Sequence, residues 1–237
     1  MSTNSSPPSK PLKVETVLLD AGGVLLDLDY HYLARLLEAR GRDVDVDALS
    51  RAESLARTEM QSRVKKGERV SELWRDYFHI ILAKVGTPLE DHEPIIETLW
   101  EAHERIGLWT APIPGAVETV KVLKEQGFRL AVVSNAEGQV ERDLGLAGFD
   151  GLFETVVDSH IVGVEKPDPA IFGIALERLD TKAEGAVYLG DVPAIDIAGA
   201  RAAGIAAVLL DRHDLYPDID APRLTSIEEF PAWLQSP

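Results

Sequence analysis

Five stretches of this chain constrain its fold more than anything else in it. They are LKVETVLL (residues 12–19), GFRLAVVSN (127–135), FETVVD (153–158), AVYLGD (186–191) and IAAVLLD (205–211). Apart from polar residues near the starts of the first three, they are runs of Val, Leu, Ile, Ala and aromatic residues, and most stop at a polar side chain. A strand with one wet face alternates apolar and polar residues, whereas a strand that is apolar throughout has both faces covered. Segments with apolar residues at three-four spacing lie between the runs: AVETVKVLKEQ, GQVERDLGL, DPAIFGIALERL and AIDIAGARAAG. Strands covered on both faces and alternating with helices describe an α/β chain. The expected core is a mostly parallel sheet between two helical layers, a three-layer, Rossmann-like arrangement.

One region breaks this rhythm. From Tyr30 to about Trp109 no convincing strand occurs. YHYLARLLEARG, DALSRAESLARTEMQSRVKKG, SELWRDYFHIILAKVG and EPIIETLWEAHERIG each read as an amphipathic helix, and Gly41, Gly67, Gly86 and Gly107 stand where helices end. The expected organisation is a core of residues 12–29 and 111–237 with an all-helical insertion, residues 30–110. MSTNSSPPSKP, residues 1–11, is Ser/Pro-rich, lacks the apolar centre of a secretory signal and is expected to be a disordered tail.

Composition removes several functional classes. The formal charge is −16, which disfavours nucleic acid as a partner, because phosphate contacts need Lys and Arg. No apolar run approaches the roughly 18 residues that would span a membrane. The chain has no cysteine, so disulfides and thiolate metal sites are excluded and a reducing, cytoplasmic setting is expected.

In an open parallel sheet, ligands bind beyond the carboxyl ends of the strands. Asp20 ends the first strand, Ser134 and Asn135 end the second, and Asp191 ends the fourth, with Asp196 five residues on. Lys166, in GVEKPDPAIF, stands at the entry to a helix. Three carboxylates, a hydroxyl and an ammonium thus converge on one rim. Three carboxylates together need a cation, and oxygen-only donors favour a hard ion, with magnesium the best fit. Such an ion would attract a phosphate and shield it from the acids while a carboxylate attacks phosphorus. Ser134 and Lys166 supply the hydrogen bond and the positive charge that phosphoryl transfer requires.

These residues, in the segments VLLDAGGVL, AVVSN, VEKPDPAIF and YLGDVPAID, resemble in order the four signatures of the haloacid dehalogenase-like (HAD) superfamily. The likeness covers the chain after residue 11, and it implies that the helical insertion is a cap over the active site. It also implies roles: Asp20 as nucleophile and magnesium ligand, the Gly22 carbonyl as a second ligand, and Ser134 and the Asn135 backbone as phosphoryl holders. Lys166 would steady nucleophile and phosphate, Asp191 would bind the metal directly, and Asp196 would do so through water or its side chain. The implied activity is that of a magnesium-dependent phosphatase acting on a small phosphorylated metabolite, a sugar phosphate by preference.

The chain departs from that pattern at Gly22, where most phosphatases of the superfamily carry a second Asp that protonates the leaving group. Losing a placed acid–base costs about 10²–10⁴-fold. Three readings follow. The first is a phosphatase whose substrate needs little help in leaving, as in a similar subgroup that includes sugar-1-phosphate phosphatases. The second is a 2-haloacid dehalogenase, which also lacks that Asp but has no use for the metal-binding pair Asp191 and Asp196. The third is a non-catalytic binding module. The acids Asp27 and Asp29 follow the signature and read more simply as a solvated turn. Arg57, Arg63, Lys65 and Lys66 read as a solvated helix face. Trp74, Trp100 and Trp109 read as packing within the insertion or its hinge, and His31, His79, His92 and His103 lack the spacing of a zinc site.

Overall fold

The computed structural model describes residues 13–236. The expected tail, residues 1–11, lies outside the described residues.

The chain opens with β1 (Thr16–Leu19) and, after a tight turn, β2 (Leu26–Leu28). Four helices follow: α1 (Tyr30–Glu38), α2 (Val46–Val64), α3 (Trp74–Lys84) and α4 (Leu89–Ile106). Strand β3 (Trp109–Pro112) leads to α5 (Ala116–Glu125), β4 (Arg129–Ser134) and α6 (Val140–Leu144). Then come β5 (Thr155–Asp158), α7 (Ser159–Val162), α8 (Pro169–Arg178), β6 (Ala186–Gly190) and α9 (Ala198–Ala202). Strands β7 (Ala206–Leu210) and β8 (Arg223–Leu224) and helix α10 (Phe230–Gln235) complete it.

Six strands form one sheet in the order β5-β4-β1-β6-β7-β8, and every pair in it is parallel. Alternate residues of each strand go to opposite faces, and both faces are buried. Val17, Leu19, Leu130, Val132, Val187 and Leu189 pack with α5, α6 and α10 on one side. Leu18, Ala131, Val133 and Tyr188 pack with Ile171, Phe172 and Ala175 of α8 and Ala200 of α9 on the other. Helices on both faces leave little room for polar side chains except at the strand ends, hence the apolar runs. All five expected strands form, and the expected α/β, three-layer, Rossmann-like architecture is the one observed.

Residues 28–108 gather a separate apolar cluster from the inward faces of α1–α4, including Leu33, Leu49, Phe78, Ile95 and Leu99. Asp29 and Asp45 start α1 and α2 by accepting from the amides of Tyr32 and Ala48. Gly107 ends α4 with φ of 78°. Where the helical region leaves and rejoins the sheet, β2 and β3 pair antiparallel, Leu26 opposite Pro112 and Asp27 opposite Ala111. A smaller apolar seam, Met60, Val64 and Leu73 against Val192 and Ile195, joins α2 to the loop after β6. Among the described residues no helix is long and apolar enough to cross a membrane.

Candidate active site

Strand β1 lies between β4 and β6, so Asp20, Ser134 and Asp191 leave the sheet side by side at its carboxyl edge. Beyond Asp20 the chain turns sharply: the amides of Leu25 and Leu26 donate to Ala21 O, and Gly23 N donates to Leu26 O. Gly23 has φ of 78°, a backbone state that glycine adopts without penalty. A Cβ there would lie 2.3 Å from Asp191 Oδ2, so a side chain would also collide with Asp191.

Lys166 ties the acids together. It is 1% exposed, and its Nζ lies 2.8 Å from each of Asp20 Oδ2, Asp196 Oδ1 and the Tyr188 hydroxyl. Three acceptors match the three protons of an ammonium. The loop carrying Lys166 is clasped in turn by the Asn135 side chain, whose Nδ2 donates to Lys166 O at 2.9 Å and whose Oδ1 accepts from Lys166 N at 2.8 Å. Asp196, wholly buried, also accepts from the amides of Asp191 (3.1 Å) and Val192 (2.8 Å) through Oδ2 and from the Tyr188 hydroxyl through Oδ1. Its two oxygens are committed to protein donors, so it fixes the loop after β6 and anchors Lys166.

One oxygen from each of Asp20, Asp191 and Asp196 lies within 4.8 Å of the others. The Asp20 carboxyl is raised to about 7: burial raises it most, Lys166 pulls it back, and Asp196 and Asp191 raise it further. Burial likewise pushes Asp191 up to about 6, against the pull of Arg57. Lys166 stays charged because Asp196 and Asp20 outweigh the effect of its burial and raise its pKa. An oxygen-only donor set under such mutual repulsion is what a hard divalent cation relieves, so the residues present fit a metal of that class.

The rim opens on a cavity of about 480 Å³, within the usual range for a small-molecule site. Asp20, Gly22, Ser134, Asn135, Lys166, Asp191 and Asp196 all line it, so the structure brings the candidate site residues to one place. Trp74, Tyr77, Trp100, His103 and Trp109 also line it. Their rings pack on one another, for example Trp74 on Trp100 with centroids 4.9 Å apart, so the tryptophans serve as packing and as cavity wall together. A Cβ on Gly22 would meet Trp109 Cδ1 at 3.6 Å, an ordinary contact.

Two expectations need correction. Asp27 is not in a solvated turn: it is buried in β2, and its carboxylate pairs with Arg212. Asp29 caps α1. Both acids are therefore engaged elsewhere. Arg57 is not on a solvated face either. Its side chain is 13% exposed and reaches from α2 to ion-pair with Asp191 Oδ2. On its other side Nη2 meets Glu53 Oε1 at 2.6 Å. Glu53 is 1% exposed and also accepts from the hydroxyls of Tyr30 and Tyr77. The helical spacing Glu53–Arg57 was visible in the sequence; the side on which it packs was not. Arg63 pairs within its own region, with Glu68 and Asp76.

Comparison with known proteins bears on the family and the fold. A glyceraldehyde 3-phosphate phosphatase of Methanopyrus kandleri is 34% identical over 158 residues, 65% of this chain and 66% of that protein. A ribulose-1,5-bisphosphate 5-phosphatase of Halopiger xanaduensis is 36% identical over 117 residues, 48% of this chain and 47% of that protein. The chain thus spans less than two thirds of either relative. Among solved structures, the HAD hydrolase YfnB of Bacillus subtilis, bound to magnesium, superposes with a TM-score of 0.72 at 21% identity, covering 94% of this chain and 100% of that one. Residues 14–204, from the strand that delivers Asp20 to the helix after Asp196, match one family as a single unit, and by that match the chain belongs to the haloacid dehalogenase-like hydrolases.

Proposed function

We propose that this hydrolase is a magnesium-dependent phosphatase of a small phosphorylated metabolite, a sugar phosphate by preference, with Asp20 as nucleophile. The observation that carries the reading is a buried carboxylate, held by Lys166 among two further acids, facing a 480 Å³ cavity. The two relatives support it, one a glyceraldehyde 3-phosphate phosphatase and the other a ribulose-1,5-bisphosphate 5-phosphatase. On this reading residues 30–110 act as a cap on a core of 12–29 and 111–237. The cysteine-free chain suits the cytoplasm.

Oxygens of Asp20 and Asp191 and the carbonyl of Gly22 would hold the ion, with Asp196 supporting them from behind. Bound there, magnesium would shield the phosphate from the acids and polarise it. Asp20 attacks phosphorus as the bond to the leaving oxygen breaks, giving an aspartyl-phosphate and the leaving group as its oxyanion, which takes a proton from solvent water where it needs one. The Ser134 hydroxyl and the Asn135 amide donate to the phosphoryl oxygens, and Lys166 balances their charge. Water then attacks phosphorus, which frees phosphate and restores the carboxylate. Gly22 supplies no proton to the leaving oxygen. That favours substrates whose leaving groups need little protonation, such as anomeric or acyl phosphates. The aromatic wall of Trp74, Tyr77, Trp100 and Trp109 would receive the rest of the substrate.

The test is phosphate release from a panel of phosphorylated metabolites, sugar 1-phosphates first, with magnesium and with EDTA, for wild type and Asp20→Asn. Magnesium-dependent release that Asp20→Asn abolishes supports the reading. Halide release from 2-haloacids without metal, and no phosphate release, would replace it with a dehalogenase. Silence in both assays would leave a binding module.

A further inference from the structure

The three acids at the rim carry more negative charge than Lys166 can balance. Its protons are spent on Asp20, Asp196 and Tyr188, and none reaches Asp191. A second cation covers Asp191, and it comes from the helical region: Arg57, through Nη1. This contact is built. Glu53, one turn earlier on α2, holds the other end of the guanidinium, and Tyr30 and Tyr77 hold Glu53. The core side is shaped to match. A Cβ on Gly23 would lie 1.7 Å from Arg57 Nη1, so only glycine leaves the guanidinium a path to Asp191.

We propose that Arg57 is the resident counter-ion of the metal locus, and that its guanidinium and a divalent cation compete for Asp191. The proposal rests on the metal-dependent reading above. A cation held by Asp191 would share that carboxylate with the Arg57 guanidinium, and like charges on one buried carboxylate repel strongly. Loading the ion therefore requires Arg57 to withdraw toward Glu53 or onto an incoming anion. Because Arg57 is carried by α2, metal occupancy is linked to the position of the helical region, and the linkage is reciprocal: whatever holds Arg57 on Asp191 weakens metal binding.

Calorimetric titration of wild type, Arg57→Gln and Asp191→Asn with Mg2+ tests this. Arg57→Gln is expected to bind Mg2+ at least tenfold more tightly than wild type, while in EDTA it melts at a lower temperature because Asp191 and Glu53 lose their partner. Asp191→Asn is expected to lose binding. Binding that Asp191→Asn abolishes but Arg57→Gln leaves unchanged or weakens overturns the proposal alone. No Mg2+ binding by any of the three overturns the metal-dependent reading, and the proposal falls with it. A second measurement needs no folded variant at this position. The Arg57 side-chain Nε–H resonance of the wild type, followed by NMR, is expected to shift as Mg2+ saturates, and a resonance that stays in place at saturation refutes displacement.

Discussion

Replacing Gly22 by Asp tests whether the missing acid is what limits this site. The geometry permits the change. Gly22 has no left-handed φ, and its Cβ would make only ordinary contact with Trp109, at 3.6 Å to Cδ1 and 3.8 Å to Nε1. The position lines the cavity and is partly exposed, so the new carboxyl keeps some of its hydration. Stability should stay within about 1 kcal/mol of wild type. A well-placed acid–base contributes about 10²–10⁴-fold, or roughly 3–5 kcal/mol of barrier. The surroundings of Gly22 were not shaped to tune an acid, so the lower end applies, a gain of about 10². That gain belongs only to substrates whose leaving oxygen must be protonated. The assay is kcat for an alkyl phosphate and for acetyl phosphate, in wild type and Gly22→Asp, at saturating magnesium. The ratio of the two rates should move about 10²-fold toward the alkyl phosphate. An unchanged ratio in a folded variant that still binds magnesium would refute the reasoning.

Other outcomes follow from the same geometry. Lys166→Met leaves Asp20 and Asp196 buried without their shared cation; denaturant unfolding should show a loss of about 3–5 kcal/mol, and a loss under about 1 would refute the pairing. Glu53→Gln keeps the shape but loses the charge that binds Arg57, Tyr30 and Tyr77, a cost of about 3 kcal/mol and a fall in Tm of about 6–12 °C. Burial alone would raise the Glu53 pKa, but Arg57, Tyr30 and Tyr77 bring it below the usual 4.5. Its stabilisation is therefore complete above pH 4.5 and is lost as pH falls through the lower folded value. The gap between wild type and variant should stay constant from pH 8 to 5.5 in calorimetric scans and narrow only below 4.5. Phe172→Ala, wholly buried against Tyr188 on the sheet, should cost about 3–5 kcal/mol in denaturant unfolding without altering magnesium affinity.

Much of this was legible in the chain because the relevant signals are local. A strand such as AVVS declares double burial through its own residues, and its last residue then stands at the sheet rim wherever the strand lies in the order. Asp20, Ser134, Asn135, Lys166, Asp191 and Asp196 could therefore be brought together before any coordinates. What stayed hidden depends on partners distant in sequence. Asp27 meets Arg212, 185 residues away, and nothing near either residue announces the pair. Arg57 meets Asp191 across 134 residues, and on a helix with many charges its direction depends on which face docks. The short pair β2–β3 escaped because three or four residues carry too little pattern to separate a strand from a turn. The role of Asp196 as an anchor follows from hydrogen bonds that residue spacing does not encode.

A nucleophilic Asp20 forms a covalent bond to phosphorus, and that species can be trapped. A reaction with acetyl phosphate and magnesium, quenched in acid within the first turnover, would be digested and read by mass spectrometry. A phosphoryl adduct is expected on the peptide carrying Asp20, absent in Asp20→Asn and in a sample quenched before substrate is added. Phosphate release at the same rate with no adduct at Asp20, or with an adduct at another residue, would contradict it.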